Sequence, residues 1–337
     1  MDRPTLIRLP KAQLHLHLEA AMRPETAREL ADRYGLPQPR QGPYAGLRGF
    51  VEDYESARDL LGNLDDLSRV ATEIVEDAAA QGVVWTEVHC VPFNYDGRLG
   101  APEAVVDAVL DGLDRGAAAT GMGAGLILAH NRAAIPQLAW TTLGLARRGQ
   151  SGHVGVVGFG LVGNEADYPP APYAEVFAAA RATGLLAVPH AGEAAGPASI
   201  RSAWQDLGAH RINHGVRAVE DPRLVEELAR ARVCLDVCPT SNAMLQASPS
   251  LAEHQLPALV AAGVPVSLGS DGPLFFHADV VQEYLNAHDL FGIDAAGLAQ
   301  IARDSLVFCA APTGRVRPAL EAIDTWLQDN RVRERSG

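Results

Sequence analysis

Short apolar runs recur along the chain, each followed by a stretch whose apolar residues repeat at helical spacing. The runs at 12–17, 83–91, 124–130, 154–160, 185–190, 210–214, 232–237 and 264–270 read as strands. Between 65 and 80, Leu67, Val70, Ala71, Ile74, Val75 and Ala78 share one face of a helix, with Gly82 available to end it. Asp221-Pro222 has the form of an N-cap followed by a first-turn proline, opening a helix through Leu224, Val225 and Leu228. Gly263 ends another that runs through Leu259 and Val260. Strands alternating with helices predict an α/β protein with a parallel sheet. Eight strands in 337 residues favour a closed (β/α)8 TIM barrel over an open doubly wound sheet, with residues 1–337 as a single domain. The segment 18–82 is too long for one crossover helix, so extra helices are expected after the first strand, capping the barrel mouth.

The residues able to carry chemistry fall at strand ends. His15 and His17 alternate in Ala-Gln-Leu-His-Leu-His-Leu-Glu (12–19), so a strand would present both imidazoles on one face. His190 opens His-Ala-Gly-Glu (190–193), His214 lies in Arg-Ile-Asn-His-Gly (211–215), and Asp271 in Leu-Gly-Ser-Asp-Gly-Pro (268–273). In a closed barrel those ends converge on one mouth, where such enzymes keep their active sites. His15, His17, His190 and Asp271 offer three imidazoles and one carboxylate, a set suited to zinc or another borderline divalent ion. Glu193 stands three residues past His190, close enough to serve as general acid/base without binding metal. His214 can orient or deprotonate a water that such an ion polarises. Each residue has a plainer reading. Two strand histidines can be hydrogen-bonded core residues, Asp271-Gly272-Pro273 can be a turn, and Glu193 can be a solvated loop carboxylate. Their joint placement at four strand ends favours the functional one.

Composition narrows the partners. A formal net charge of −13 argues against a nucleic acid polymer and leaves a neutral, nucleoside-sized ligand open. No apolar stretch is long enough to span a membrane, and the first ten residues lack the core of a signal peptide. Cys90, Cys234, Cys238 and Cys309 form no Cys-x-x-Cys pair, and Cys234 and Cys238 read as buried thiols. A cytoplasmic protein is the expectation.

Six phrases carry a family resemblance: Pro-Lys-Ala-Gln-Leu-His-Leu-His-Leu-Glu (10–19), Val-Val-Gly-Phe-Gly-Leu-Val-Gly-Asn-Glu (156–165), His-Ala-Gly-Glu (190–193), Arg-Ile-Asn-His-Gly (211–215), Cys-Pro-Thr-Ser-Asn (238–242) and Ser-Asp-Gly-Pro (270–273). In this order they resemble the adenosine/adenine deaminase family over about residues 10 to 310. The resemblance implies a metal-dependent barrel that hydrolyses the exocyclic amine of an aminopurine and releases ammonia. It implies one Zn2+ held by His15, His17, His190 and Asp271, with Glu193 passing a proton to the ring nitrogen and His214 positioning the water. Gly163 matches the glycine whose backbone N–H meets the purine, and Glu19 the acidic position near the ribose. The implied partner is a small-molecule aminopurine or related amino-heterocycle.

This chain departs from that family at several positions. Two acidic residues usually stand where it has Asp271-Gly272, the second contacting the imidazole-ring nitrogen of the purine. Ala20 replaces a glycine, and Gln13, Gly160 and His89 stand where acidic, acidic and basic residues are common. The expectation is an intact metal centre beside an altered base pocket, with His277 or a water as a substitute for the missing side chain. Other readings are weaker. Gly158-Phe-Gly-Leu-Val-Gly163 satisfies Gly-x-Gly-x-x-Gly, but Asn-Glu-Ala-Asp-Tyr-Pro-Pro follows where a dinucleotide site needs a helix. No Gly-x-Ser-x-Gly elbow supports serine hydrolysis. A non-catalytic zinc-binding relative would need neither Glu193 nor His214. A barrel metallohydrolase acting on an amide or ester would share the ligands.

Overall fold

The alternation of strand and helix closes into a ring. The computed structural model describes residues 1–150, 152 and 154–334. Its strands are β1 (Lys11–Gln13), β2 (Val83–Cys90), β3 (Gly123–Asn131), β4 (Val156–Val162), β5 (Leu186–Ala191), β6 (Arg211–His214), β7 (Cys234–Val237) and β8 (Val266–Leu268). They pair in parallel in chain order, and a parallel bridge between Leu16 and Asp271 joins the two ends. This is the expected (β/α)8 barrel.

The helices start and stop where side-chain chemistry dictates. The Asn63 carboxamide accepts from the Asp66 N–H at 2.9 Å and caps the helix Leu64–Ala80. The whole expected apolar face of that helix, Leu67 to Ala78, is buried. Asp221 caps Pro222–Ala231 in the same way, accepting from the Arg223 N–H. Helices Pro24–Tyr34 and Gly46–Asp59 complete the insertion between β1 and β2. No helix of the described residues is long and apolar enough to cross a membrane.

Several strand boundaries differ from expectation, most informatively at β1, β8 and β4. The β1 ladder stops at Gln13 instead of running to residue 17, and β8 stops at Leu268 instead of 270. Beyond Gln13 the backbone divides its hydrogen bonds between two neighbours, His17 N–H to the Asp271 carbonyl at 2.9 Å and Leu18 N–H to His89 at 3.1 Å. A regular two-stranded ladder cannot continue through such a crossing. β4 runs two residues further than expected, to Val162, with Gly163 just past it and no helix opened there. The dinucleotide reading therefore lacks the helix N-terminus it requires.

Inside the barrel, below the mouth, lies a fully buried ion group. The Arg211 guanidinium on β6 donates to Glu87 on β2 at 2.7 Å and to Asp236 on β7 at 2.9 Å. A charge at this depth is tolerated because it is paired on both sides. Burial opposes the charge of Arg211, and the Asp236 and Glu87 carboxylates more than offset this, so its pKa is raised. Cys90, Cys234 and Cys238 are buried free thiols.

Gly82 tests how tightly the first helical layer is fitted. It adopts φ +73°, and a Cβ there would lie 1.8 Å from the Ile7 carbonyl oxygen. Gly97 shares φ +73° but has nothing within 4 Å. Gly97→Ala is therefore expected to cost roughly 1–2 kcal/mol from backbone strain alone. Gly82→Ala should cost clearly more, and urea denaturation of the two variants measures the difference.

Candidate metal centre and active site

The crossing beyond β1 carries His15 and His17 to the barrel mouth, where β5 presents His190 and the segment after β8 presents Asp271. His17 Nε2 lies 3.1 Å from His190 Nε2 and 3.3 Å from Asp271 Oδ1, and His15 Nε2 lies 3.5 Å from the same oxygen. The Asp236 carbonyl, 3.0 Å away, accepts from His15 Nδ1–H, which leaves His15 Nε2 bare. That nitrogen is buried and has no hydrogen-bond partner in the protein. A buried lone pair without a donor is costly, and a cation held among these atoms removes the cost. Two groups have ligand atoms within 4.8 Å of one another, His15 with His17 and Asp271, and His15 with His190 and His214. Nitrogen donors with one carboxylate oxygen suit zinc.

Electrostatics favour the ligating protonation states. Burial, then the neighbouring imidazoles, holds His15 and His190 well below the usual histidine range, so both are neutral. Burial pushes the Asp271 carboxyl up, but the surrounding histidine cluster and a 2.5 Å bond from the Ser241 hydroxyl bring it below its ordinary value. Asp271 and His214 both adopt left-handed φ, at 57° and 66°, unusual for residues with side chains. Such strain collects at functional sites.

Glu193 sits beside this cluster. Burial, followed by the nearby Asp271 and Glu165 carboxylates, pushes its carboxyl well above the ordinary range, which favours the protonated form. Its Oε2 lies 3.6 Å from His214 Nε2. The loop that carries it is fixed by buried Glu165, which accepts from the N–H groups of Gly192 at 2.9 Å, Glu193 at 2.7 Å and Ala195 at 2.9 Å. The Ser199 hydroxyl also donates to Glu165. Glu165 stands in the motif 156–165, but nothing in its spacing marks it as an anchor.

A cavity opens from these residues and is lined by both predicted and unpredicted groups. His17, His190, Glu193, His214, Asp271, Gly163 and Gly272 all border it. Gly163 has φ +97°, and a Cβ there would meet Asn131 Oδ1 at 2.8 Å, so both conformation and space require glycine. Glu19 does not border the cavity. It is buried, and its carboxylate accepts from the hydroxyls of Tyr95 and, at 2.6 Å, Tyr54. It reaches the cavity only through Tyr54, which does line it. His277 is exposed and is not a lining residue, so it supplies no substitute at Gly272. The helix Gly46–Asp59 adds Phe50, Glu55 and Arg58 to the wall, confirming the expected cap but with residues no motif singles out.

A family model described as adenosine deaminase matches residues 10–326. A protein from Streptomyces virginiae named putative adenosine/adenine deaminase is 38% identical, covering 95% of this chain and 97% of its own length. The solved structure of an adenine deaminase from Arthrobacter aurescens superposes with a TM-score of 0.88 at 29% identity, covering 95% of this chain and 99% of that one. An amidohydrolase from Burkholderia ambifaria with bound zinc superposes equally well, TM-score 0.88 at 26% identity, covering 97% and 94%.

The donor cluster gives a measurable expectation. Added Zn2+ should raise the unfolding temperature of the metal-free chain, with about 2.7 kcal/mol of stabilisation at a hundredfold excess over Kd. Asp271→Ala should abolish the shift. Differential scanning calorimetry with and without metal reads both.

Proposed function

Since the chain belongs to the adenosine deaminase family, we propose that it removes the exocyclic amine of an aminopurine nucleoside such as adenosine, giving inosine and ammonia. The family is one of metal-dependent hydrolytic deaminases, and the reading adds the substrate and the residue roles. The observation that carries it is the placement of Glu193, a buried carboxyl whose Oε2 lies 3.6 Å from His214 Nε2 at the edge of a cluster of candidate metal-ligating side chains. Metal binding alone needs neither group.

In this reading His15, His17, His190 and Asp271 hold one Zn2+. When bound, such an ion lowers the pKa of a water toward neutrality. Attack of the water oxygen on the amine-bearing carbon forms a C–O bond and interrupts ring aromaticity, so the adjacent ring nitrogen must gain a proton as that bond forms. Glu193 supplies that proton. The carboxylate left behind takes a proton from the attacking oxygen and passes it to the amine. The C–N bond then breaks, ammonia leaves, and the oxygen's second proton returns to Glu193 as the carbonyl forms and the ring conjugation is restored. His214 faces the attacking oxygen and stabilises its developing charge in a buried setting.

The walls support a nucleoside. Ala20, Phe50, Val162, Leu245 and Gly272 offer apolar surface to a flat base, and Asn94, Asn131, Glu55 and Arg58 offer polar partners to a sugar. The base pocket is altered at Ala20 and Gly272: a Cβ on Gly272 would lie 2.8 Å from the Ala20 Cβ. The two residues exclude a side chain at 272 jointly, so the polar contact usual in the family is replaced by a methyl. Adenine itself is a second reading, favoured by the likeness to the Arthrobacter adenine deaminase.

Ammonia release across adenosine, deoxyadenosine, adenine, 5′-modified adenosines and 7-deazaadenosine tests the substrate. Turnover of adenosine and 7-deazaadenosine within about tenfold of each other is expected, since the lost contact is worth ~1–3 kcal/mol. A strong preference for adenosine would reject the altered pocket, and turnover of adenine alone would replace the nucleoside reading. Glu193→Gln should abolish turnover while metal analysis still finds one zinc per chain. Gly272→Asp should destabilise by roughly 1–3 kcal/mol through overpacking, and adding Ala20→Gly should recover most of that loss in denaturant unfolding.

A further inference from the structure

Behind His214, on the side away from the cavity, lies a chain of buried hydrogen bonds that uses residues with no role so far. The Leu256 backbone N–H donates to His254 Nδ1 at 3.0 Å. His254 Nε2 lies 3.2 Å from Asn242 Oδ1, and Asn242 Nδ2 lies 2.9 Å from His214 Nδ1. His254, Asn242 and His214 are 5%, 0% and 1% exposed, so water cannot substitute along the chain.

The direction of every proton follows from the first one. A backbone N–H can only donate, so His254 Nδ1 must be the bare nitrogen. An imidazole keeps at least one proton, which places the proton of His254 on Nε2. Asn242 must then turn its oxygen toward His254 and its amine toward His214. His214 Nδ1 therefore accepts, and the proton of His214 resides on Nε2, facing Glu193 Oε2 at 3.6 Å. Flipping Asn242 would set its amine against a protonated His254 nitrogen and its oxygen against a bare His214 nitrogen, unless the whole chain rearranged. His15 shows the opposite arrangement. Its Nδ1–H is spent on the Asp236 carbonyl and its Nε2 is bare.

We infer that His254 and Asn242 are positioning residues that lock His214 in the Nε2–H form, so that it enters the site as a hydrogen-bond donor and neither ligates metal nor acts as a base. Neighbouring imidazoles are thus sorted by their outer partners. One that gives Nδ1–H to a carbonyl offers a lone pair, and one that receives at Nδ1 offers a proton. The second grouping of ligand atoms, His15 with His190 and His214, is a near approach that the tautomer of His214 closes to metal. His254 is held in place by stacking on Phe291, with ring centroids 5.6 Å apart.

The inference rests on the deaminase reading for its kinetic consequence but not for its direct test. Long-range 1H–15N NMR of zinc-loaded protein with labelled histidines reads the tautomer, the His214 signals being assigned by their loss in His214→Gln. The expected spectrum shows a bare Nδ1 and a protonated Nε2. A proton on Nδ1, or a zinc-bound Nε2, would overturn the proposal whatever the substrate proves to be. Asn242→Asp keeps the shape and the bond to His254 but presents an acceptor to His214, so its proton should move to Nδ1. With adenosine, or whichever aminopurine is turned over, kcat should then fall roughly a hundredfold or more, as tautomer errors do in other enzymes, with KM little changed. His254→Phe, which frees Asn242 to flip, should lower kcat about tenfold. An Nε2–H signal and near-normal kcat in Asn242→Asp would also overturn it. A wild-type chain silent on every aminopurine would reject the substrate reading and leave the NMR result to decide this one.

Discussion

The barrel is closed by the residues of its candidate metal centre. Asp271 donates its backbone N–H to the His15 carbonyl at 3.1 Å and accepts from the His17 N–H at 2.9 Å, and these bonds make the seam between the first and last strands. The backbone that completes the ring therefore also sets the spacing of three candidate donor side chains. Barrel closure and site geometry thus rest on the same backbone contacts. The crowding this produces is severe for neutral, desolvated imidazoles, whose pKa values burial drives down. A cation held among them would relieve that crowding and couple its own binding to folding.

Precision at the site comes from groups one step removed from it. Asp236 links two tiers: its carboxylate neutralises Arg211 in the barrel interior, and its carbonyl holds Nδ1–H of His15. Ser241 and Asn242, adjacent in the helix Pro239–Met244, hold Asp271 and His214 respectively. Glu165 gathers the amides of the loop bearing Glu193. Each contact is directional and buried, which is what keeps a reactive group within the tolerance that catalysis demands. The strained backbone at His214 and Asp271 is held against relaxation by the same contacts.

Much of this was legible in the sequence because it follows from periodicity and from where strands end. The eight apolar runs located all eight strands, and the candidate ligands at their ends converge as a closed barrel requires. The short ladder of β1 was not legible, since the apolar alternation of 12–17 continues through a crossing whose hydrogen bonds go to two different strands. Nor could sequence show that Glu19 turns to Tyr54 and Tyr95 and away from the cavity, because its tyrosine partners are 35 and 76 residues away. His254 lies outside every motif and 40 positions from His214, and its importance exists only in the fold.

The altered pocket shows why the chemistry and the specificity of this chain are separable. Asp271 and Gly272 are neighbours, yet the first is bound into the barrel seam and the second lies in the cavity wall against Ala20 and Phe276. Replacing Asp271 would disturb closure, metal and backbone together. A change at 272 need only be matched by a change at 20, because the Ala20 methyl occupies the space a side chain at 272 would fill. A polar contact at that point would reject ligands lacking its partner, since a buried group left unpaired is expensive. A methyl beside a glycine imposes no such test. Under the proposed deaminase reading, discrimination among bases would then come from shape and from Glu193. Under that reading both would act on the six-membered ring where the amine is lost, and a wall of this kind would suit a range of amino-heterocycles that share that edge.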